Sequence, residues 1–471
     1  MTSAIVVGSG PNGLSAALTL ARSGIEVTVL EAAAQPGGGA RSAEATLPGL
    51  LHDECSGFHP LAVDNAFSRS VDLAAHGLAW EWPEIQYAHP LDHGGASAVR
   101  DVFATSRTLF DDGSAWARVF GTAAGDFRGL TDDLLRPMLR MPGNPASLAR
   151  LGASAGLPAS VLARSWTTAE ARALFAGVAA HAFRPLDSLA SSAVGVVLGS
   201  AAHACGWPVA RGGSQSIVEA MIRALLGLGG RVETGIKVSA LSELPPADLV
   251  LLDTSPAAAA IAGERMPGRI ARAYRRYTHG PGAFTVSFAV EGGIPWSFEP
   301  AFRAGTVHLG GTFEEIAAAE RMVHLGRMPE RPFVLLGQQY VADPSRSAGG
   351  IVPIDAYAHV PAGFDGDALP ALVAQIERFA PGFRERILAT AVRSTAALEA
   401  GNPNLVRGDI VGGANSALQL LFRPRPAGDP YSTGVPGVYL CSSATPPGAG
   451  AHGMCGFNAA QSALAGLRRR G

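Results

Sequence analysis

Lysine is almost missing from this chain. Lys237 is the only one among 37 basic residues, so nearly every cation is an arginine. The 39 acids balance them to a net charge of −2, and the arginines are scattered, which excludes the clustered basic face of a nucleic-acid binder. Cysteine is scarce too. Cys55, Cys205, Cys441 and Cys455 lie far apart and form no C-x-x-C pair, which argues against a disulfide framework and for a reducing compartment. No secretory leader is visible, since Met1-Thr2-Ser3 has no basic region, and a cytoplasmic location is expected. Long apolar runs are few. Ser188 to Ala210 is uncharged and long enough to cross a bilayer, but serines, three glycines, His203 and Pro208 interrupt it, so a buried helix beside a pocket is expected. His52, Asp53, Glu54 and His59 have no partner ligands at helical spacing further along, so no metal site is expected.

What is present starts at the N-terminus. Ala4 to Val7 is an apolar run that ends in Gly8, Gly10 and Gly13, which fit G-x-G-x-x-G at the end of a buried parallel strand. Gly8 permits the tight turn, Gly10 lets a diphosphate approach the backbone, and Gly13 lets helix and strand pack closely. From Pro11 and Asn12 the pattern turns helical, with Leu14, Ala17, Leu18 and Ala21 on one face and Gly24 past its end. The helix N-terminus then faces the loop with free N–H groups and about half a positive charge, which suits a diphosphate. Val27, Val29 and Leu30 form a second strand leading to Glu31, about 20 residues beyond the loop, where a carboxylate accepts ribose hydroxyls and disfavours a 2′-phosphate.

Gln35 to Ser42 adds a second glycine loop containing Gly38 and Gly39 and ending in Arg41, able to reach the same diphosphate. Here the sequence resembles the flavoprotein group that contains the bacterial-type phytoene desaturases, the retinol saturases and the flavin amine oxidases, whose members carry such a stretch after the acid. The resemblance implies FAD. It also implies that His52-Asp53-Glu54-Cys55 runs beneath the flavin ring, with Cys55 where the group often has glycine, that the Val238 backbone lies near the adenine, and that Leu249 to Thr254 is a central strand. The segment Gly437 to Leu467 carries the likeness again as strand, glycine-proline loop and helix. Gly448, Gly450 and Gly453 let backbone approach a flat ligand, and the helix start at Gly453 and Met454 can face the flavin edge that becomes negative on reduction. In that loop His452 is the candidate catalytic proton donor or acceptor, against the alternative that it bonds a backbone carbonyl and holds the loop.

The expected fold is α/β. A Rossmann-type FAD-binding domain with a parallel sheet takes residues 1–64, 205–262 and 402–471, and an α+β substrate domain with a mixed or antiparallel sheet and a helical cap takes 65–204 and 263–401. Arg231 to Val238 and Ala247 to Thr254 read as strands of the first; Phe284, Val286, Phe288 and Val290 alternate as a half-buried strand of the second, joined by Thr306 to Leu309, Phe333 to Val341 and Asp355 to Val360. No second G-x-G-x-x-G follows directly on a strand, since the one at Gly448, Gly450 and Gly453 begins seven residues beyond Cys441, so a nicotinamide domain is not expected, and oxygen, a quinone or another acceptor would take the electrons directly. The resemblance implies hydride transfer between flavin N5 and carbon–carbon bonds of an apolar, isoprenoid-type substrate. Two alternatives compete with it. One is an amine or amino-acid oxidase, against which Lys237 stands at the adenine end rather than the flavin end. The other is a binding or assembly protein on the same fold, against which the intact glycines and Glu31 speak. The tail Arg468-Arg469-Arg470 reads as a solvated end, with a peripheral electrostatic membrane contact as its sharper alternative.

Overall fold

A computed structural model describes residues 2–469; Met1, Arg470 and Gly471, and with them parts of the leader and tail readings, lie outside the described residues. The main strands in chain order are β1 (Ser3–Val7), β2 (Glu26–Leu30), β3 (Ile85–Pro90), β4 (Gly95–Val99), β5 (Arg231–Glu233) and β6 (Leu249–Leu252). They continue with β7 (Gly282–Glu291), β8 (Ala304–Leu309), β9 (Val334–Gly337), β10 (Ile351–Val360), β11 (Ile387–Arg393) and β12 (Val438–Leu440). The helices used below are α1 (Pro11–Ala21), α2 (Gly113–Gly125), α3 (Ala169–Ala180), α4 (Ser192–Ala204), α5 (Gln215–Gly227), α6 (Phe313–His324), α7 (Leu369–Phe379) and α8 (Met454–Arg468).

Two sheets divide these strands. A five-stranded sheet runs β12-β6-β1-β2-β5, every neighbouring pair parallel, with Val6 opposite Val29 on one side and Leu251 on the other. This is the Rossmann-type layer. Its apolar strands are covered by α1, α5 and α8, whose Leu14, Leu18, Ile217, Met221, Ala460 and Leu464 share one core with Val6, Val27 and Leu251. The second sheet is mixed, in the order β11-β7-β10-β9-β8-β3-β4, and antiparallel except where β8 meets β3. The helices α2, α3 and α4 lie over part of one face of it, where Trp116, Phe120, Phe175 and Val196 pack with Tyr87, Ala98 and Leu335.

Several local readings are corrected by the coordinates. Only Arg231–Glu233 of the Arg231–Val238 run is strand, because Gly235, at φ +74°, turns the chain away from the sheet edge. The Phe333–Val341 strand stops at Gly337, where a short 3₁₀ turn over Gln339–Val341 takes over. The stretch from Asn65 to Ala204 reads from its sequence as a mostly helical insertion, and alongside its helices it also supplies β3 and β4, which complete the mixed sheet. No helix among the described residues is long and apolar enough to cross a membrane, and the uncharged Ser188–Ala210 stretch contains the 13-residue α4.

The largest difference concerns β7 and its neighbours. Alternation there suggests one face in a core and one in water, yet both faces are covered. Phe284, Val286, Phe288, Val307 and Ala356 pack beneath α7 with Leu372 and Ile376. The polar alternates Ser287, Thr306, His308 and His359 are buried on the opposite face.

Candidate functional site

The first glycine loop is held from behind. Gly8 takes φ +102° and its N–H donates to Leu30 O at 2.8 Å, which fixes the turn against β2. A Cβ on Gly13 would lie 2.2 Å from Gly8 O, and one on Gly10 would lie 2.7 Å from Asp253 Oδ2, so side chains are excluded at both places. The Gly13 N–H donates to Asp253 Oδ2 at 2.8 Å. The backbone N–H groups of Gly10 and Asn12 have no partner among the described residues, and the Asn12 side chain is buried with Oδ1 unpaired. Open donors at a helix start are what a diphosphate requires.

Glu31 closes the loop laterally. Its Oε2 accepts from Ser9 N at 2.9 Å and Ser9 Oγ at 2.6 Å, and its Oε1 accepts from Ala33 N at 2.8 Å. The second glycine loop lies against the first: a Cβ on Gly38 would be 3.2 Å from Gly10 Cα, and Gly37 N donates to Ser9 Oγ at 3.2 Å. The N–H groups of Gly38 and Gly39 are again unpaired among the described residues. Beyond Glu31, Ile236 N donates to Glu31 O at 2.8 Å, bringing Val238 alongside. Val238 is buried, and its backbone N–H and C=O have no protein partner among the described residues. Lys237 beside it is exposed.

Two features of this site escape sequence reasoning. Asp253, which follows β6, sits buried behind the glycines; burial pushes its carboxyl up, the Gly13 N–H pulls it down and Glu31 raises it further, to about 7. Its position at the end of a buried strand was the available signal. The second is the segment Gly401–Asn404: Gly401 O accepts from Arg41 Nη2 at 3.1 Å, and Asn404 donates from Nδ2 to Asp253 O at 3.2 Å while accepting from Ser255 N at 2.7 Å.

Arg41 is already engaged. Its Nε lies 3.0 Å from Glu54 Oε2 as an ion pair without hydrogen-bond alignment, and Arg393 Nη2 donates to Glu54 O at 2.8 Å. Cys55 lies next to the second loop, with Sγ 3.9 Å from the point a Gly39 Cβ would occupy. Burial pushes its thiol up to about 11, so it is a protonated packing group. His52 and Asp53 tie the two sheets together. His52 Nδ1 is 2.8 Å from Asp355 Oδ1 on β10, and Asp53 pairs with the fully buried Arg346 at 2.7 Å while accepting from Ser42 Oγ and Ser214 N. Burial opposes the charge on Asp53, but Arg346 and these donors win and hold the carboxyl below its ordinary range.

The C-terminal segment meets the N-terminal loop. A Cβ on Gly456 would be 1.7 Å from Asn12 O, and Ser15 Oγ donates to Gly453 O at 2.5 Å, so α1 and α8 adjoin at their N-termini. Gly450 and Gly453 take φ +125° and +72°. The His452 ring is used locally. Its Nδ1 accepts the Met454 N–H at 3.1 Å, so that donor is not open, and the ring also bonds the Ala449 backbone. Burial pushes His452 down to about 4, leaving it neutral. A cavity of about 190 Å³ opens beside it, lined by Phe67, Val71, Trp80, Ile217 and Met221.

Residues 6–72 match the family model of the NAD(P)-binding Rossmann-like domain. A stretch of 86 residues is 43% identical to the mouse pyridine nucleotide-disulfide oxidoreductase domain-containing protein 2; it covers 18% of this chain and only 15% of that relative's length. Over 323 residues the chain is 27% identical to hydroxysqualene dehydroxylase of Rhodopseudomonas palustris, covering 62% of this chain and 72% of that protein. Solved structures of an oxidoreductase from Methanosarcina mazei and of a putrescine oxidase superpose with TM-scores of 0.64 and 0.61. They cover 98% of this chain, and 100% and 99% of their own, at 14% and 18% identity, which shows a shared fold.

Proposed function

We propose that the chain is an FAD-dependent oxidoreductase acting on carbon–carbon bonds of an apolar small molecule. The observation that carries this reading is the packing of the second glycine loop on the first, at the start of α1 and next to the start of α8, with the N–H groups of Gly10, Asn12, Gly38 and Gly39 left unpaired among the described residues. The residues fit the cofactor. Gly8, Gly10, Pro11, Asn12, Gly13, Gly38 and Gly39 would hold its diphosphate, Glu31 its ribose and the Val238 backbone its adenine, with Arg41 adding positive charge beside the second loop. Cys55, Gly450, Gly453 and Met454 would border the ring.

FAD would supply the hydride chemistry, and the protein's part is orientation and exclusion of water. His452 then holds the ring-side loop by its two backbone bonds, and any proton it relays requires those bonds to open. In this reading residues 1–64, 205–262 and 402–471 bind the cofactor, and 65–204 and 263–401 bind substrate. All five strands of the parallel sheet come from the first set and all seven of the mixed sheet from the second. The hydroxysqualene dehydroxylase relative supports an isoprenoid-type substrate, and the exposed Lys237 at the adenine end gives an amine oxidase no lysine by the ring. Oxygen or a quinone would reoxidise the flavin. The chain would work in the cytoplasm, with Arg468 and Arg469 available to an anionic membrane surface.

Anaerobic titration tests this. Isoprenoid alkenes should bleach the visible flavin absorbance, and aliphatic amines should leave it unchanged. Bleaching by amines alone overturns the substrate reading.

A further inference from the structure

The cavity of about 190 Å³ beside His452 lies between α5 and residues 62–80, and neither N-terminal glycine loop contributes to its lining. Protein interiors are close-packed and hold few voids larger than a water molecule, so a space of this size requires a reason. Its wall is apolar. Phe67, Val71, Leu78, Ile217 and Met221 are buried there, and the half-buried Trp80 completes it. These side chains belong to the core that joins α1, α5 and α8, so the space is framed by fixed elements.

The polar groups of the lining are spent on their own neighbours. Ser68 Oγ accepts from Asn65 N at 2.9 Å and donates to Asn65 O at 3.1 Å. His452 Nδ1 accepts from Met454 N, and its ring also bonds the Ala449 backbone. Trp80 Nε1 is left as a single donor without a partner among the described residues. An ordered water requires about two to four polar partners, and these side chains offer it one. A comparable cavity of about 150 Å³ lined by Leu, Ile and Phe stays dry and takes benzene or xenon.

Size, charge and access set the ligand. Drug-sized molecules occupy about 300–1,000 Å³, so this space takes one ring. Phe67 and Trp80 offer aromatic contact, and the Met221 thioether packs favourably against a ring. Asp72 and Ala74 are the exposed members of the lining and mark the mouth; a carboxylate there disfavours an anion, which would find no counter-charge among the lining side chains. On the inner side, Ala451 and His452 lead into Gly453, where a Cβ would lie 2.8 Å from Phe67 Cδ1. A bound ring therefore packs on two side chains, Phe67 and His452, that flank the start of α8.

We propose that this cavity is a binding site for a small uncharged hydrocarbon group, one aromatic ring in size. None of the residues assigned to FAD lines it, so the site stands apart from the cofactor reading.

The full chain, as purified, is titrated with benzene and with benzoate, which carries the same ring and a charge. Benzene should bind saturably and at least tenfold more tightly than benzoate, and Val71→Trp, which fills the cavity, should weaken it at least tenfold. Benzene should also slow amide hydrogen exchange at the start of α8 at least threefold. Should the variant fail to fold, the wild-type chain with ¹³C-methyl methionine replaces it, and bound benzene should give a nuclear Overhauser effect to the Met221 methyl. Absence of saturable binding, equal affinity for benzoate, unweakened binding by the variant, unchanged exchange or no contact with Met221 overturns the inference. A colourless chain that binds benzene in this way would fail the oxidoreductase reading and leave the inference standing.

Discussion

The parallel sheet and the mixed sheet use the same alternation of side chains for opposite ends. In the first, both faces are apolar and the proposed chemistry would be left to backbone: the unpaired N–H groups of Gly10, Asn12, Gly38 and Gly39 belong to two loops in contact, where a side chain on Gly10 is excluded. In the second, one face is apolar and the other carries His308, His359, Thr306 and Ser287 into the interior. A backbone site depends on close approach and tolerates no added atom. A buried polar face depends instead on which of its side chains find partners among their neighbours.

The largest effect should come from the head-to-tail contact. Gly456→Val places branched carbon where a single Cβ already falls 1.7 Å from Asn12 O, so α8 must move off α1. Flavin content per folded chain should drop at least tenfold, measured by absorbance after gel filtration; a variant that keeps its flavin would show that the two helices do not form the groove together.

The strut between the sheets comes next. Arg346→Met leaves Asp53 and Asp343 buried and unpaired by that cation, and should cost about 3–5 kcal/mol in denaturant unfolding. Loss below about 1 kcal/mol would mean that water reaches Asp53.

Asp253 gives a pH-dependent test on the backbone-site side. Its folded value of about 7 lies above the ordinary 3.8, so the folded chain holds the extra proton between those values and loses stability as pH rises through that window. Asp253→Asn removes this penalty. The variant should be more stable than the wild type by up to about 4 kcal/mol at pH 8, the gap narrowing as pH falls towards 4. Asp53 works in the opposite direction, because its lowered value contributes stability above about 3.8 that disappears under more acid conditions. A constant gap across pH would refute the buried-acid description of Asp253.

Smaller still is His452→Asn, which keeps a side-chain acceptor for the Met454 N–H. Turnover should fall less than tenfold, whereas loss of a true acid or base costs about 10²–10⁴-fold. At the bottom of the scale, Gly152→Ala sits in a helix with nothing within 4 Å of its new Cβ, and should raise stability by up to about 1 kcal/mol without changing flavin content.

The contrast also explains what the sequence could and could not reveal. Glycine spacing, the acid at Glu31 and the tail loop are local patterns, each dictated by one steric or electrostatic need, so the loops that the proposed backbone site would use were legible from residues alone. The mixed-sheet face was not. Phe284, Val286, Phe288 and Val290 announce a strand with one apolar side, but nothing in that alternation says whether the other side meets water or a second layer. Asp253 was hidden for a related reason, since its burial depends on the loop 240 residues earlier that donates to it. His452 was visible as a histidine in the right loop. Its use depended on ring geometry that composition does not carry.

Flavin stoichiometry tests the central claim most directly. The purified chain, or the chain incubated with FAD and desalted, should show the two visible flavin bands and release close to one FAD per polypeptide on denaturation. A protein that stays colourless after such loading, with its groove closed to the dinucleotide, would contradict the account.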